Sequence, residues 1–275
     1  MKKPPKLIVS ITSFPAAIPI AAQAIRSIFK QSIRPDKIVL YLTSEQFPGK
    51  KLPVEIKALQ KESKIFEVRF CDENIKSYTK LIPALKDFPN DMIITIDDDV
   101  IYPRSMISQL TRRHKKYPNA IVGLRVKRVR FGEDGRLLPH RQWKNYKTFR
   151  FLWLHSRPRL NNQLMGVSGV LYPPRVFPPQ VFDSNTFMKI APTVDDIWFW
   201  LMAVKKGTKT TFVPWGSGSM HLNNARVKGM GKPKSITLTF QNFHCGKDVN
   251  LESAERIFKK YPDIEKKLKT SLNIK

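Results

Sequence analysis

Three consecutive carboxylates, Asp97, Asp98 and Asp99, come directly after an apolar run, Met92 to Ile96. The run is rich in β-branched side chains, which is the pattern of a short buried strand. Carboxylates crowded at a strand tip repel one another, and leaving them unpaired there is costly. A hard divalent cation, Mg²⁺ or Mn²⁺, relieves that repulsion, because it prefers carboxylate oxygens and keeps positions open for phosphate. The plainer alternative is an acidic turn in which Asp97 or Asp98 caps the next element. A second acidic pair, Asp195 and Asp196, precedes the apolar run Ile197 to Leu201, with Thr193 just before it. Thr193 is the expected N-cap, and two acids in a first helical turn are stabilised by the macrodipole without any chemical role.

These residues need a scaffold, and the first half of the chain supplies an alternating one. Leu7–Thr12, Lys37–Thr43, Ile65–Cys71, Met92–Ile96 and Ala120–Gly123 read as strands. Ile18–Phe29, a segment opened by Pro53, Thr79–Lys86 around Pro83, and a capped basic segment Ser105–Lys116 read as helices. Strands alternating with helices imply an α/β fold with a mostly parallel sheet covered by helices on both faces. Placed at the carboxyl end of a strand, the aspartate cluster lies where such sheets bind ligands. The second half is less regular. Arg125–Arg159 is basic and aromatic with no clean period. Gly166–Tyr172 is a small-residue turn leading into a strand, and Thr210–Val213 is strand-like. Leu251–Leu268 carries apolar residues at the spacing of a C-terminal amphipathic helix. No repeat or linker divides the chain. The expectation is one domain, 1–275, with a first half, 1–124, and an elaborated second half, 125–275.

Composition narrows the function. The 275 residues are 41% hydrophobic and 26% charged, as in a globular protein that buries a full core. No apolar run approaches the ~18 residues needed to span a bilayer, and no signal-peptide core is present. The two cysteines, Cys71 and Cys245, cannot make a disulfide framework; Cys71 reads as a buried small hydrophobe. The expected location is the cytoplasm, with a peripheral position at the inner face of the cytoplasmic membrane as its extension. The net charge of +27 points to a polyanionic partner: nucleic acid, an anionic membrane or a phosphorylated substrate. Between Arg104 and Arg159, 16 Lys/Arg face two acids, so the excess is concentrated. There, Arg125, Lys127, Arg128 and Arg130 precede Trp143, Tyr146, Phe149, Phe151 and Trp153, which interleave with basic residues, a composition suited to a membrane interface.

Five blocks, Leu7–Pro15, Arg34–Leu42, Glu45–Phe47, Ile75–Leu85 and Thr95–Pro103, taken together resemble a GT-A glycosyltransferase. They are most similar to the bacterial family-2-type enzymes thought to decorate lipopolysaccharide or capsule. The resemblance covers roughly the first 105 residues well and only islands afterwards, and its last block is the most specific. Relatives tend to carry Arg or Lys after Ser-Phe-Pro, where this chain has Ala16-Ala17.

The resemblance implies a Rossmann-like GT-A sheet and a nucleotide-diphosphate sugar donor, of UDP or GDP type, held on Mn²⁺ or Mg²⁺. Asp97 and Asp99 match the two acids of the family's Asp-x-Asp motif, with Asp99 on the metal and Asp97 at the ribose or the metal's water shell. Asp195 and Asp196 match the pair that supplies the base in inverting members, Asp196 slightly favoured. Such a base needs burial to offset the helix N-terminus, which depresses a carboxylate's pKa. Thr12 and Ser13 fall where a base or ribose lies in this fold. Asp72 is placed to accept from a nucleobase edge, with Lys76 and Lys80 placed to reach phosphates or to be plain surface residues. Asp98 belongs to the donor-binding set. The turn Gly166, Ser168 and Gly169 approaches a donor sugar or is an ordinary turn. His221 is the candidate third metal ligand and His244 its weaker competitor; His114, His140 and His155 read as surface residues or acceptor contacts.

The leading expectation is thus an inverting, metal-dependent glycosyltransferase acting on a glycan or lipid-linked glycan acceptor. A sugar nucleotidyltransferase of related fold is the runner-up. It ordinarily carries a glycine-rich phosphate loop after the first strand, and Thr12–Pro15 has no glycine. A basic nucleic-acid-binding protein is the third reading. It rests on charge alone, and no DNA- or RNA-binding signature accompanies it.

Overall fold

The computed structural model describes residues 4–145, 156–214 and 248–274. Its centre is a seven-stranded, mostly parallel sheet: β1 (Leu7–Thr12), β2 (Lys37–Thr43), β3 (Phe66–Cys71), β4 (Met92–Thr95), β5 (Ile121–Gly123), β9 (Val170–Tyr172) and β10 (Thr210–Phe212). Their order is β10-β5-β9-β4-β1-β2-β3. All neighbours pair in parallel except β9, which runs antiparallel between β4 and β5. The first half therefore does not complete the sheet by itself. Residues 170–172 and 210–212 from the second half insert into and extend it.

Side-chain alternation explains why these runs are apolar throughout. Leu7, Val9, Ile11, Ile38, Leu40 and Leu42 point to one face, where they meet α1 (Ile18–Phe29), α2 (Val54–Glu62) and α4 (Met106–Lys116). Ile8, Val39, Tyr41 and Ile93 point to the other, toward α6 (Asp195–Lys206) and the C-terminal helices. A strand covered on both faces cannot alternate apolar with polar. Helix α6 is wrapped in the same way: Ile197 through Val204 are all buried, with the Trp200 Nε1–H donating to the Leu160 carbonyl at 2.7 Å. An all-apolar helix is a buried one. Before it come α3 (Ile82–Asp87) and α5 (Ser184–Ile190).

Several local expectations shift. Thr79–Lys86 is a 3₁₀ turn, Lys76–Lys80, followed by α3, with Pro83 absorbed in the first turn. Pro53 is the N-cap of α2 rather than its first residue. Val194, not Thr193, caps α6, and no side chain closes that end. Ser105 stands at the N-cap of α4 without capping it; its hydroxyl accepts instead from the Gln109 amide at 2.7 Å. The expected single C-terminal helix is two, α7 (Val249–Lys260) and α8 (Pro262–Ser271), because Pro262 lacks the N–H that a continuous helix requires and starts a new one.

The basic, aperiodic stretch builds a second, antiparallel sheet of β6 (Val126–Arg128), β7 (Lys144–Asn145) and β8 (Asn162–Leu164) in the order β7-β6-β8. Arg125, Lys127 and Arg128 are half-buried and only Arg130 of that group is exposed. Trp143 lies in the core, 5.6 Å from Trp200 and edge-on to it. Tyr146, Phe149, Phe151, Trp153 and the basic residues among them lie outside the described residues. No helix among the described residues is long and apolar enough to cross a membrane.

Candidate active site

The parallel register of β1 and β4 sets Ser10 beside Thr95, so β1 runs two residues past the end of β4. The three aspartates beyond β4 then turn alternately. Asp98 points inward: it is 6% exposed, and its Oδ2 accepts the Ser13 hydroxyl at 2.7 Å. Asp97 and Asp99 are left half-exposed on either side of it. The Asp97 backbone N–H donates to the Tyr102 phenol oxygen at 2.8 Å. That phenol donates in turn to the Val167 carbonyl at 3.3 Å, tying the aspartate loop to the turn 166–168. Thr12 is also occupied, its hydroxyl donating to the Tyr41 carbonyl at 2.9 Å. The hydroxyls of Thr12 and Ser13 thus hold the end of β1 in shape.

The first unexpected residue is Lys80. It is neither a surface lysine nor a free phosphate ligand but is buried, 8% exposed. Its Nζ donates to Asp97 Oδ1 at 2.8 Å and lies 3.2 Å from Asp195 Oδ2. The second contact is one of charge: Asp195 Oδ2 is buried without an aligned hydrogen bond. Burial pulls the lysine's pKa down, but Asp195, Asp97 and Asp196 outweigh it and hold the ammonium well above the ordinary lysine range. Its backbone is pinned as well, since the Ser10 hydroxyl donates to the Lys80 carbonyl at 2.6 Å.

Asp195 and Asp196 start α6 as expected, and their environments differ. Asp195 is 5% exposed and faces the ammonium. Asp196 is reached by solvent yet deeply surrounded by protein, and its Oδ2 accepts the Gly166 N–H at 2.9 Å. Burial, then the charge of Asp195, push the Asp196 carboxyl up to about 7, against the opposing pull of Lys80 and of the Gly166 N–H. Burial thus supplies the offset that a base at a helix N-terminus needs. Gly166 is required by space: a Cβ there would sit 2.8 Å from Asp196 Oδ1 and 3.2 Å from Lys80 Nζ. The next turn residue that needs glycine is Gly169, at φ +92°, against Met106.

The site thus gathers Lys80, Asp97, Asp195, Asp196 and Gly166. Asp72 and Lys76 stand apart at the end of β3, both exposed. Asp72 Oδ1 is 3.5 Å from the Ser44 hydroxyl, and Lys76 takes a left-handed φ of 55° with its N–H on Asn74 Oδ1. His221 and His244, with Cys245 and His155, lie outside the described residues. His140 is not at the surface: it is 5% exposed, edge-on to Trp143, with its Nδ1 3.2 Å from Lys127 Nζ. Burial and the Lys127 charge push its imidazole down to about 4. His114 is half-buried. Cys71 is half-buried against the core, and burial pushes its thiol up to about 11, which makes it unreactive.

The sequence reading missed Tyr102 and Tyr78. Tyr102 is five residues past Asp97, inside the motif, and only its spacing hinted at a return contact. Tyr78 stacks on Phe187, with ring centroids 4.0 Å apart, and donates to the Ala191 carbonyl at 2.7 Å.

The donor set at the strand tip suits a hard divalent cation. Asp98 turns inward and leaves Asp97 and Asp99 as two half-exposed carboxylates, with one oxygen of Asp97 on Lys80. No group of three His, Cys, Asp or Glu side chains placed to hold a metal occurs among the described residues. No protein-family model and no curated protein matches the chain.

Proposed function

We propose that the protein is an inverting, metal-dependent glycosyltransferase of the GT-A type, moving a sugar from a UDP- or GDP-linked donor to a glycan or lipid-linked glycan acceptor. The observation that carries this reading is the division of labour among the acids. A half-exposed pair, Asp97 and Asp99, stands at the carboxyl end of a central parallel strand. A second, solvent-reached carboxyl, Asp196, has a pKa lifted to about 7 and is joined to the first pair through Lys80 and Asp195. Two sets of carboxyls with environments pushed apart are what a reaction needs when one end holds a charged leaving group and the other takes a proton.

Asp97 and Asp99 would hold Mg²⁺ or Mn²⁺, which when bound neutralises charge developing on a departing diphosphate. Asp196 accepts the proton of the acceptor hydroxyl as that oxygen forms its bond to the anomeric carbon and the carbon–oxygen bond to the diphosphate breaks. The Gly166 N–H keeps one carboxylate oxygen of Asp196 fixed during the transfer. An elevated pKa improves it as a base near neutral pH. The concentrated positive charge agrees with a phosphorylated or lipid-linked acceptor and with a peripheral position on an anionic membrane face.

The test is nucleotide binding read as a thermal shift. UDP or GDP should stabilise the chain only with Mn²⁺ or Mg²⁺ present, and Asp99→Asn should remove the effect while leaving the fold intact. A metal-dependent shift unchanged in Asp99→Asn refutes the assignment.

A further inference from the structure

Lysine is almost never fully buried without partners, because desolvating an ammonium is costly. Lys80 is buried at the junction of three segments that are far apart in sequence. Through Nζ it touches Asp97, after β4, and Asp195, at the first turn of α6. Its carbonyl receives the Ser10 hydroxyl from β1. Two residues earlier on the same 3₁₀ turn, Tyr78 donates to the Ala191 carbonyl, just ahead of α6. The turn is a strap with four fastenings: two at the start of α6 and just ahead of it, one on β1 and one on the loop after β4. A side chain at residue 166 would crowd the ammonium, its Cβ lying 3.2 Å from Nζ. A lysine serving merely to neutralise an acid cluster would not need its backbone pinned to one wall and a neighbouring tyrosine pinned to the other.

We propose that Lys80 is a positioning residue that sets the distance between the strand-tip acids and the α6 acids, so that donor phosphate and acceptor hydroxyl meet in line. This rests on the glycosyltransferase reading. Lys80 touches neither substrate; it acts through Asp97 and Asp195. By fixing Asp195 it fixes the first turn of α6, and hence the direction in which Asp196 faces. Its removal should therefore spoil the alignment of the reacting groups rather than the binding of the donor.

The experiment uses the full chain and the variant Lys80→Met, which keeps the length and removes the charge. Nucleotide release from a panel of UDP- and GDP-linked hexoses is followed from pH 5.5 to 9.5. Mn²⁺-dependent binding of UDP and GDP is measured in parallel. The expected result is a kcat at least about tenfold lower at pH 7, with the donor KM within about threefold. The rising limb of the pH–rate profile should also move upward by about one pH unit, because the ammonium no longer favours the ionised base. If Lys80→Met does not fold, the charge-balanced variant Lys80→Met with Asp195→Asn is read by kcat and donor KM alone, because losing the Asp195 charge, which raises the Asp196 pKa, cancels the upward shift of the pH limb. An unchanged kcat and pH limb in a folded variant overturns the positioning role while leaving the transferase reading in place. A wild-type chain that neither binds either nucleotide with Mn²⁺ nor releases nucleotide from any donor overturns the transferase reading, and this role with it.

Discussion

Replacing Asp196 with Asn should make the protein more stable at alkaline pH while abolishing the proposed sugar transfer. The carboxyl's pKa rises from 3.8 in an open chain to about 7 in the fold. At about 1.4 kcal/mol for each tenfold change in proton affinity, ionising it in place costs on the order of 4 kcal/mol. Solvent reaches the group, so about 2–4 kcal/mol is a sounder range. The groups that face it are Asp195, Lys80, Asp97, Tyr172 and Tyr78, together with the Gly166 N–H. Asparagine keeps the acceptor for that N–H and removes the charge. Between the unfolded and folded pKa values the native chain holds a proton that the unfolded chain has lost. The wild type therefore loses stability as pH rises from about 4 to about 7, and the variant does not. Thermal melts of the two proteins from pH 4.5 to 8.5 should converge at the acid end. Above pH 7.5 they should diverge in favour of Asp196→Asn by about 5–10 °C. A constant difference across the range, or a variant that is less stable at pH 8, would show that Asp196 is ionised at ordinary carboxylate pH and is no tuned base.

Gly166→Ala places a methyl group against the Asp196 carboxylate and the Lys80 ammonium. The chain should fold with a stability loss of about 1–2 kcal/mol, while nucleotide release from the donor falls at least about tenfold; wild-type turnover would mean that the carboxylate can shift without consequence. Ser13→Ala removes the hydroxyl donor to buried Asp98 and should lower stability by about 1–3 kcal/mol in urea melts, with m unchanged. On anionic vesicles the protein should pellet at low salt and release at high salt, and neutral vesicles should retain none. Arg130→Ser should weaken that binding without moving Tm, since Arg130 is exposed, whereas Lys127→Gln should lower Tm by losing the His140 carbonyl contact at 3.0 Å.

What was legible in the chain was its local order. Apolar runs marked the strands, and their alternation already divided the two cores, because Ile8 and Val9 must face opposite ways wherever β1 lies. The acids at 97–99 and 195–196 were legible as candidates for the same reason: charge next to an apolar run stands out. Their convergence was not. Nothing near Lys80 in sequence shows that residues 97, 166 and 195 will surround it, so it read as a phosphate contact or a surface lysine. His140 was misread in the same way, its basic neighbours in sequence suggesting a surface that the fold fills with Trp143 and Asp248. Pro262 was visible, but the apolar spacing ran through it without interruption and concealed the break. The reversed direction of β9 leaves no mark on three apolar residues.

That reversal bears on how the chain is made. β4 and β5 have no direct pairing; β9 alone joins them. Until residue 172 has left the ribosome, β4 has a bare edge, and the nascent sheet is two separate pieces. Unpaired edges of this sort recruit other strands, so the interval between synthesis of residues 95 and 172 is the period of greatest risk of misassembly. The strand that closes the gap follows Gly166 directly, but the cluster waits for Asp195 and Asp196 and the sheet for β10. A polypeptide ending at residue 124 would carry the aspartate motif and yet lack both the partner for its exposed edge and the α6 acids beside Lys80. Separate expression of the two halves should yield aggregates, and their co-expression should yield the folded protein only if β9 can enter from outside.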